Sequence, residues 1–83
     1  MRRDLYSAPE GRRLRVVSVP GLKILRSLGI YPGAVVVKIR RCALGGPALV
    51  RVATRQVALG QDVARGVWVR EADGDGTGPS YGD

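Results

Sequence analysis

The side chains that most often carry out catalysis are scarce in this sequence. It contains no histidine, so neither a Ser–His nor a Cys–His nucleophilic couple can form. The acids of the first seventy residues, Asp4, Glu10 and Asp62, fall in separate predicted segments and form no evident general acid–base pair. No phosphate-binding loop of the G-x-x-x-x-G-K-[ST] type occurs. The sequence therefore predicts a protein that is not an enzyme and has no catalytic residues.

Residues that ligate metals are equally few. Ferrous and zinc sites draw on imidazole, thiolate and clustered carboxylates. Cys42 is the single cysteine, and Asp73 and Asp75 stand in a glycine-rich stretch with nothing to hold them together. We therefore expect no metal site, no bound cofactor and no requirement for metal in folding.

Charge is distributed unevenly along the chain. All fourteen Lys and Arg but only three acids lie within residues 1–70, which gives that part a net charge of +11. Such a basic module is typical of proteins that bind nucleic acids or acidic partners. The alternative is that these charges only keep the outward strand faces soluble. Nucleic-acid-binding barrels usually interleave aromatic residues for base stacking, and residues 12–70 offer only Tyr31 and Trp68.

The chain is predicted to form one domain over residues 1–70, followed by a disordered tail over residues 71–83. The tail is rich in Gly and Asp and has almost nothing to bury. Residues 1–11 are expected to be irregular, because Pro9 and Gly11 interrupt any pattern, which leaves a folded part of about 12–70. The sequence shows no run of about 18 apolar residues and no apolar stretch typical of a signal peptide, so we expect a cytoplasmic protein.

One helix is predicted near the start of the domain. Residues 14–19 alternate as a first strand, and Pro20 suits the first position of a helix over residues 20–28. Its apolar face would consist of Leu22, Ile24, Leu25 and Leu28. Gly29 is predicted at the left-handed position after the helix, and residues 31–34 as a type II turn.

Four further strands follow, at residues 34–41, 48–52, 56–59 and 67–69. In the strand 34–41, Val35, Val37 and Ile39 would face inward, and Lys38 and Arg40 outward. In the strand 48–52, Val50 and Val52 would face inward. A hairpin at Gly45-Gly46 and one helical turn at residues 61–65 complete the pattern. The predicted fold is mostly β: a small five-stranded β-barrel with one helix after the first strand and a short helical turn before the last.

The helix-to-strand corner resembles a known family. Residues 25–33, Leu-Arg-Ser-Leu-Gly-Ile-Tyr-Pro-Gly, are similar to the signature of FeoA domains, and Val57-Ala58-Leu59 and Val63-Ala64-x-x-Val67-x-Val69 follow at that family's spacing. The resemblance covers about residues 11–70. It implies an SH3-like barrel and a regulatory role beside FeoB, the membrane GTPase that imports ferrous iron. The same barrel also occurs as the C-terminal domain of iron-dependent repressors. Two alternatives therefore stay open: an excised repressor barrel and a basic nucleic-acid-binding module.

Four residues are predicted to contact a protein partner. Tyr31 and Pro32 lie on the rigid corner, and Arg26 lies on the polar side of the helix. Trp68 stands between the inward-facing Val67 and Val69, so its side chain is expected to point outward. Aromatic residues and arginine on rigid elements are what protein interfaces favour as anchors.

Overall fold

The architecture is one antiparallel sheet with two short helices. The computed structural model describes residues 2–72, and among these the sheet has the strand order β1-β6-β2-β3-β4-β5. The elements are β1 (Arg2–Asp4), β2 (Arg13–Ser18), α1 (Lys23–Ser27), β3 (Val35–Arg41), β4 (Ala48–Val52), β5 (Arg55–Leu59), α2 (Gln61–Gly66) and β6 (Trp68–Glu71). The mostly β class is confirmed, with one helix after the predicted first strand and a short helix before the last. The predicted number of five strands is wrong, because residues 2–72 form six.

The sheet ends at β1 on one side and β5 on the other. These two edge strands do not pair with each other, so the predicted closure into a barrel stays a prediction. The inner faces of β4 and β6 follow the alternation of their sequences. Val50 and Val52 of β4 and Val69 of β6 point into the core, as predicted.

The inward face of β3 is the opposite of the predicted one. Val36 and Lys38 are buried, whereas Val35, Val37 and Ile39 are only half-buried. Three consecutive valines make both faces of this strand apolar, so alternation cannot decide between them. Lys38 is 2 % exposed because the N-terminal segment of the chain covers it.

That segment is the second difference from the sequence-based expectation. Residues 1–11 were expected to be irregular, but β1 pairs with β6, and Leu5, Tyr6 and Ala8 are buried in the core. The ammonium group of Lys38 donates hydrogen bonds to the carbonyl oxygens of Tyr6 at 2.5 Å and Ala8 at 2.8 Å. The Tyr6 hydroxyl donates to the Gly46 carbonyl at 2.9 Å. Contacts with distant residues, rather than a local pattern, therefore order this segment.

The end of the sheet also extends further than predicted. Glu71 belongs to β6, and Ala72 is buried and donates its N–H to the Arg13 carbonyl at 3.0 Å. Glu71 forms an ion pair with Arg12 at 2.6 Å. Residues 71 and 72 are thus part of the fold and not of a tail, and the rest of the predicted tail, residues 73–83, lies outside the described residues.

Helix α1 is shorter than the predicted helix and buries fewer side chains. Pro20 and Leu22 lie outside it, since the Leu22 N–H bonds to the Pro20 carbonyl and the Leu22 backbone is extended. Leu25 is fully buried, but Leu22 is 44 % and Ile24 is 60 % exposed. The predicted apolar face is therefore wrong for these two residues, and only Leu25 and the half-buried Leu28 pack on the core.

The corner after α1 confirms the predicted cap and turn. Gly29 has a φ of +88°, its N–H bonds to the Arg26 carbonyl, and the Ile30 N–H bonds to the Leu25 carbonyl, which is the Schellman arrangement. Gly33 has a φ of +97°, and the Ala34 N–H bonds to the Tyr31 carbonyl at 2.9 Å, as in a type II turn. The corner is thus held by backbone hydrogen bonds at both of its bends.

The two corner glycines differ in the space around them, and this difference predicts different costs of substitution. We expect Gly29→Ala to lower the free energy of unfolding by about 1–3 kcal/mol more than Gly33→Ala. In both variants the alanine must adopt a left-handed backbone conformation, which costs roughly 1–2 kcal/mol. Only a Cβ at Gly29 would meet Val52 Cγ1 at 2.8 Å, whereas a Cβ at Gly33 meets nothing within 4 Å. Urea unfolding of the two variants measures the difference, and equal losses would contradict the close approach of Gly29 to Val52.

Candidate interaction surface

A shallow groove lies between the start of α1 and the corner that follows the helix. Its volume is about 320 Å³. Three of the four residues predicted to contact a partner line it: Arg26 from α1, and Tyr31 and Pro32 from the corner. The other lining residues are Val19, Pro20, Gly21, Leu22, Lys23 and Ile30. The structure thus brings together Arg26, Tyr31 and Pro32 on one surface.

An arginine and an aromatic ring form the centre of this groove. The Arg26 guanidinium carbon lies 5.4 Å from the centroid of the Tyr31 ring, within the range of a cation–π contact. The Tyr31 side chain remains 41 % exposed, so the ring has a free surface as well as the one facing Arg26. Arg26 is in the last turn of α1, where a cation also interacts favourably with the helix carbonyl end. Both side chains are therefore positioned before a partner arrives.

The remaining residues of the groove are apolar except for a second cation, Lys23. Leu22 is exposed because it precedes the helix instead of packing beneath it, and Lys23 follows at the first position of α1. No acidic residue of the described chain lines the groove. An apolar floor with two cations and a tyrosine suits a partner segment that combines apolar and acidic side chains. Leu22 and Lys23 were missed as site residues because helical periodicity assigned them to the two faces of a longer helix.

Trp68 lies on a different surface. It is 43 % exposed on the outer face of the sheet, with Ser18 of β2 and Asp4 of β1 directly opposite it on the neighbouring strands. The outward direction predicted from alternation is therefore observed. Trp68 does not line the groove, so the structure does not join it to Arg26, Tyr31 and Pro32.

A larger cavity, of about 450 Å³, lies beneath the N-terminal segment at the end of β6. The Arg12–Glu71 ion pair contributes to its wall, together with Ser7 and Pro9. This cavity was not predicted, because part of its wall comes from residues 1–11, which were expected to be irregular. Its one carboxylate, Glu71, pairs with Arg12, and Arg3 and Arg70 also line it.

Two further observations concern the described residues as a whole. Within residues 2–72, no three His, Cys, Asp or Glu side chains come close enough together to hold a metal ion. In the same part of the chain, no helix has the length and apolar character needed to cross a membrane.

Comparison with known proteins identifies relatives of this domain. The FeoA domain profile matches residues 3–71. The structure is similar to the crystal structure of an iron uptake regulatory protein (FeoA), with a TM-score of 0.76 and 28 % identity, covering 86 % of this chain and 97 % of that one. It is also similar to the solution structure of the FeoA protein from Chlorobium tepidum, with a TM-score of 0.76 and 27 % identity, over 88 % and 73 % of the two chains.

Metal-dependent repressors share the same fold. A manganese-dependent transcriptional repressor has a TM-score of 0.75 and 23 % identity, and the likeness covers 84 % of this chain but only 41 % of the repressor. No curated protein sequence matches the chain.

Proposed function

Because the chain belongs to the FeoA domain family, we propose that it is a non-enzymatic, cytoplasmic accessory protein of ferrous iron transport that binds the cytoplasmic portion of a FeoB-type membrane GTPase. The observation that carries the proposal is the groove at the helix-to-strand corner, where Arg26 lies over the exposed ring of Tyr31. This corner also contains residues 25–33, the first of the segments by which the sequence resembles FeoA domains.

Binding at this groove has a clear physical basis. The Schellman cap and the type II turn fix the backbone of the corner, so little conformational entropy is lost when a partner binds there. Leu22 and Tyr31 supply exposed apolar surface, and Arg26 and Lys23 supply positive charge that an acidic partner segment would neutralise. The domain then acts by occupying the transporter's cytoplasmic portion, and it needs no chemistry of its own.

The groove can be tested with single substitutions. We expect Arg26→Ala and Tyr31→Ala each to weaken binding to the transporter's cytoplasmic portion by more than about 1 kcal/mol, because arginine and tyrosine are frequent interface anchors. Both side chains are exposed, so the melting temperature should be nearly unchanged. Titration calorimetry with the full chain measures the affinity, and a thermal melt of the same samples measures stability.

Leu44→Ala provides a matched control for these variants. Leu44 is a fully exposed apolar residue in the β3–β4 hairpin and does not line the groove, so its truncation should leave the affinity unchanged. Unaltered affinity in a stably folded Arg26→Ala/Tyr31→Ala double variant would refute the groove as the binding surface. Loss of affinity together with a lower melting temperature would show that these side chains hold the fold and not the partner.

A further inference from the structure

Three arginines stand side by side on the outer face of the sheet. Strand register places Arg70 of β6 directly opposite Arg2 of β1 and directly opposite Arg15 of β2. Residues paired in this way share a face, and neighbouring strands are about 4.8 Å apart, so the row spans about 10 Å. Arg13 precedes Arg15 by two positions, and Trp68 precedes Arg70 by two positions, so both lie on the same face as the three arginines. We call these five residues the arginine face.

The arginine face is costly for the fold. Like charges directly opposite each other on neighbouring strands destabilise a sheet. Within residues 2–72, no acidic side chain forms an ion pair with Arg2, Arg13 or Arg70, and the Arg15 guanidinium donates only to the Gly33 carbonyl, at 2.9 Å.

One acid lies beside the arginine face. Asp4 stands opposite Trp68, and one of its carboxylate oxygens accepts the Ser7 N–H at 2.9 Å. The folded domain therefore leaves most of the positive charge of the arginine face unneutralised, which favours an external anionic partner.

We propose that the arginine face binds an anionic phospholipid surface. The proposal rests on the function proposed above, because a partner of a membrane transporter works beside the membrane. Three exposed arginines (Arg2, Arg13 and Arg70) and the half-buried Arg15 lie next to the exposed Trp68. This combination suits a lipid interface, where cations meet headgroup phosphates and an amphipathic ring lies at headgroup level.

Nucleic acid is the less favoured occupant of this face. Binding to single strands usually requires several aromatic rings on which successive bases stack. Trp68 is the only tryptophan of the chain, and the other residues of the arginine face are all arginines. A lipid surface needs no such series of rings, since it presents many phosphates in one plane.

The strength of such binding can be estimated per residue. Each basic residue near an anionic surface changes the partition coefficient between membrane and water about fivefold. This factor corresponds to about 1 kcal/mol, because a tenfold change in an equilibrium constant corresponds to about 1.4 kcal/mol. Removing two arginines from the face should therefore weaken vesicle binding by about 25-fold. Membrane binding of this strength is weak alone, but it raises the effective concentration of the domain near a membrane-embedded partner.

The test uses the full chain with vesicles of phosphatidylcholine and phosphatidylglycerol in equal parts, and with vesicles of phosphatidylcholine alone. Because Trp68 is the only tryptophan, its fluorescence reports directly on the arginine face. We expect a blue shift with the anionic vesicles that disappears at high salt, and no shift with the neutral ones. Arg2→Gln/Arg70→Gln should weaken binding to anionic vesicles about 25-fold while leaving affinity for the transporter's cytoplasmic portion unchanged.

A second double variant removes the same charge elsewhere. Lys23→Gln/Arg26→Gln takes two cations from the groove, and we expect it to lose transporter affinity but to bind vesicles nearly as the unaltered chain does. Failure of either proposal therefore appears in a different assay. Equal vesicle loss in the two double variants would overturn the arginine face in favour of net charge. Absence of vesicle binding, or tighter binding to a DNA duplex or single strand than to anionic vesicles at the same salt, would overturn the lipid assignment.

Discussion

Replacing Lys38 with methionine should lower the free energy of unfolding by about 2–4 kcal/mol. Methionine is unbranched and of similar length, so it fills the space but donates no hydrogen bond. The carbonyl oxygens of Tyr6 and Ala8, which accept from the Lys38 ammonium, would be left buried without that donor. Each such loss costs about 1–3 kcal/mol. Part of this destabilisation is offset, because the variant no longer buries an ammonium group, which is itself costly to desolvate.

The chain supplies its own control for this substitution. Lys23 is its only other lysine and is exposed on α1, so Lys23→Met makes the same chemical change without removing a buried donor. Its effect on stability should stay within about 0.5 kcal/mol. Urea unfolding compares the two variants, and amide exchange should accelerate at Leu5 and Ala8 in Lys38→Met alone. Equal stability of Lys38→Met and the unaltered chain would mean that the buried charge costs as much as its hydrogen bonds contribute.

The same lysine gives stability a predictable dependence on pH. Burial lowers the pKa of Lys38 below its usual 10.5, and the nearby Arg41 lowers it further, while Glu10 and Asp4 act in the opposite direction. Between the lowered pKa and 10.5, the folded protein binds fewer protons at Lys38 than the unfolded chain does. Stability from this group therefore rises with pH across that window. The rise should be absent from Lys38→Met, so the difference between the two pH profiles of the free energy of unfolding measures the contribution of Lys38.

The importance of Lys38 also shows why part of the fold could not be predicted from sequence. The inner faces of β4 and β6 were predicted correctly because a charged residue marks the outer face of each strand: Arg51 stands between Val50 and Val52, and Arg70 follows Val69. In β3 the run Val35-Val36-Val37 is apolar on both faces, and a lysine is normally placed in solvent. Its burial depends on carbonyl groups that lie thirty residues away in the chain. No local pattern contains that information.

The N-terminal strand illustrates the same limit. Arg2–Asp4 has no apolar residue and no strand-like alternation, and it forms a strand because β6 offers an unpaired edge. Burial of Tyr6 depends on Gly46 and on the guanidinium groups of Arg41 and Arg65, which lie 5.0 and 5.1 Å from its ring. The chain contains all of these residues, but only the completed sheet brings them together.

Most of the candidate groove could be predicted from the sequence because its residues are close together in the chain. Arg26, Tyr31 and Pro32 lie within seven positions of each other, and the cap and the turn between them have strong residue preferences at Gly29 and Gly33. Trp68 is more than thirty positions away, so its place depended on strand order. Strand order set it on the arginine face and not in the groove.

Leu25→Ala should lower the free energy of unfolding by about 2–5 kcal/mol, whereas Ile24→Ala should change it by less than about 0.5 kcal/mol. The two leucine-sized residues are neighbours on α1, and sequence periodicity had assigned both to one buried face. Leu25 is 1 % exposed within the core, so its truncation leaves a cavity that the sheet cannot fill. Ile24 is 60 % exposed and gives up little packing.

The measurement is urea unfolding of both variants, with the slope of the transition checked for two-state behaviour. Because the two substitutions remove side chains of equal size from adjacent positions of one short helix, a change in helix propensity affects both similarly and largely cancels in their difference. A large loss for Ile24→Ala with a small one for Leu25→Ala would mean that α1 is rotated on the sheet. Such a rotation would also move Arg26 away from Tyr31, so this pair of variants tests the helix orientation on which the groove depends.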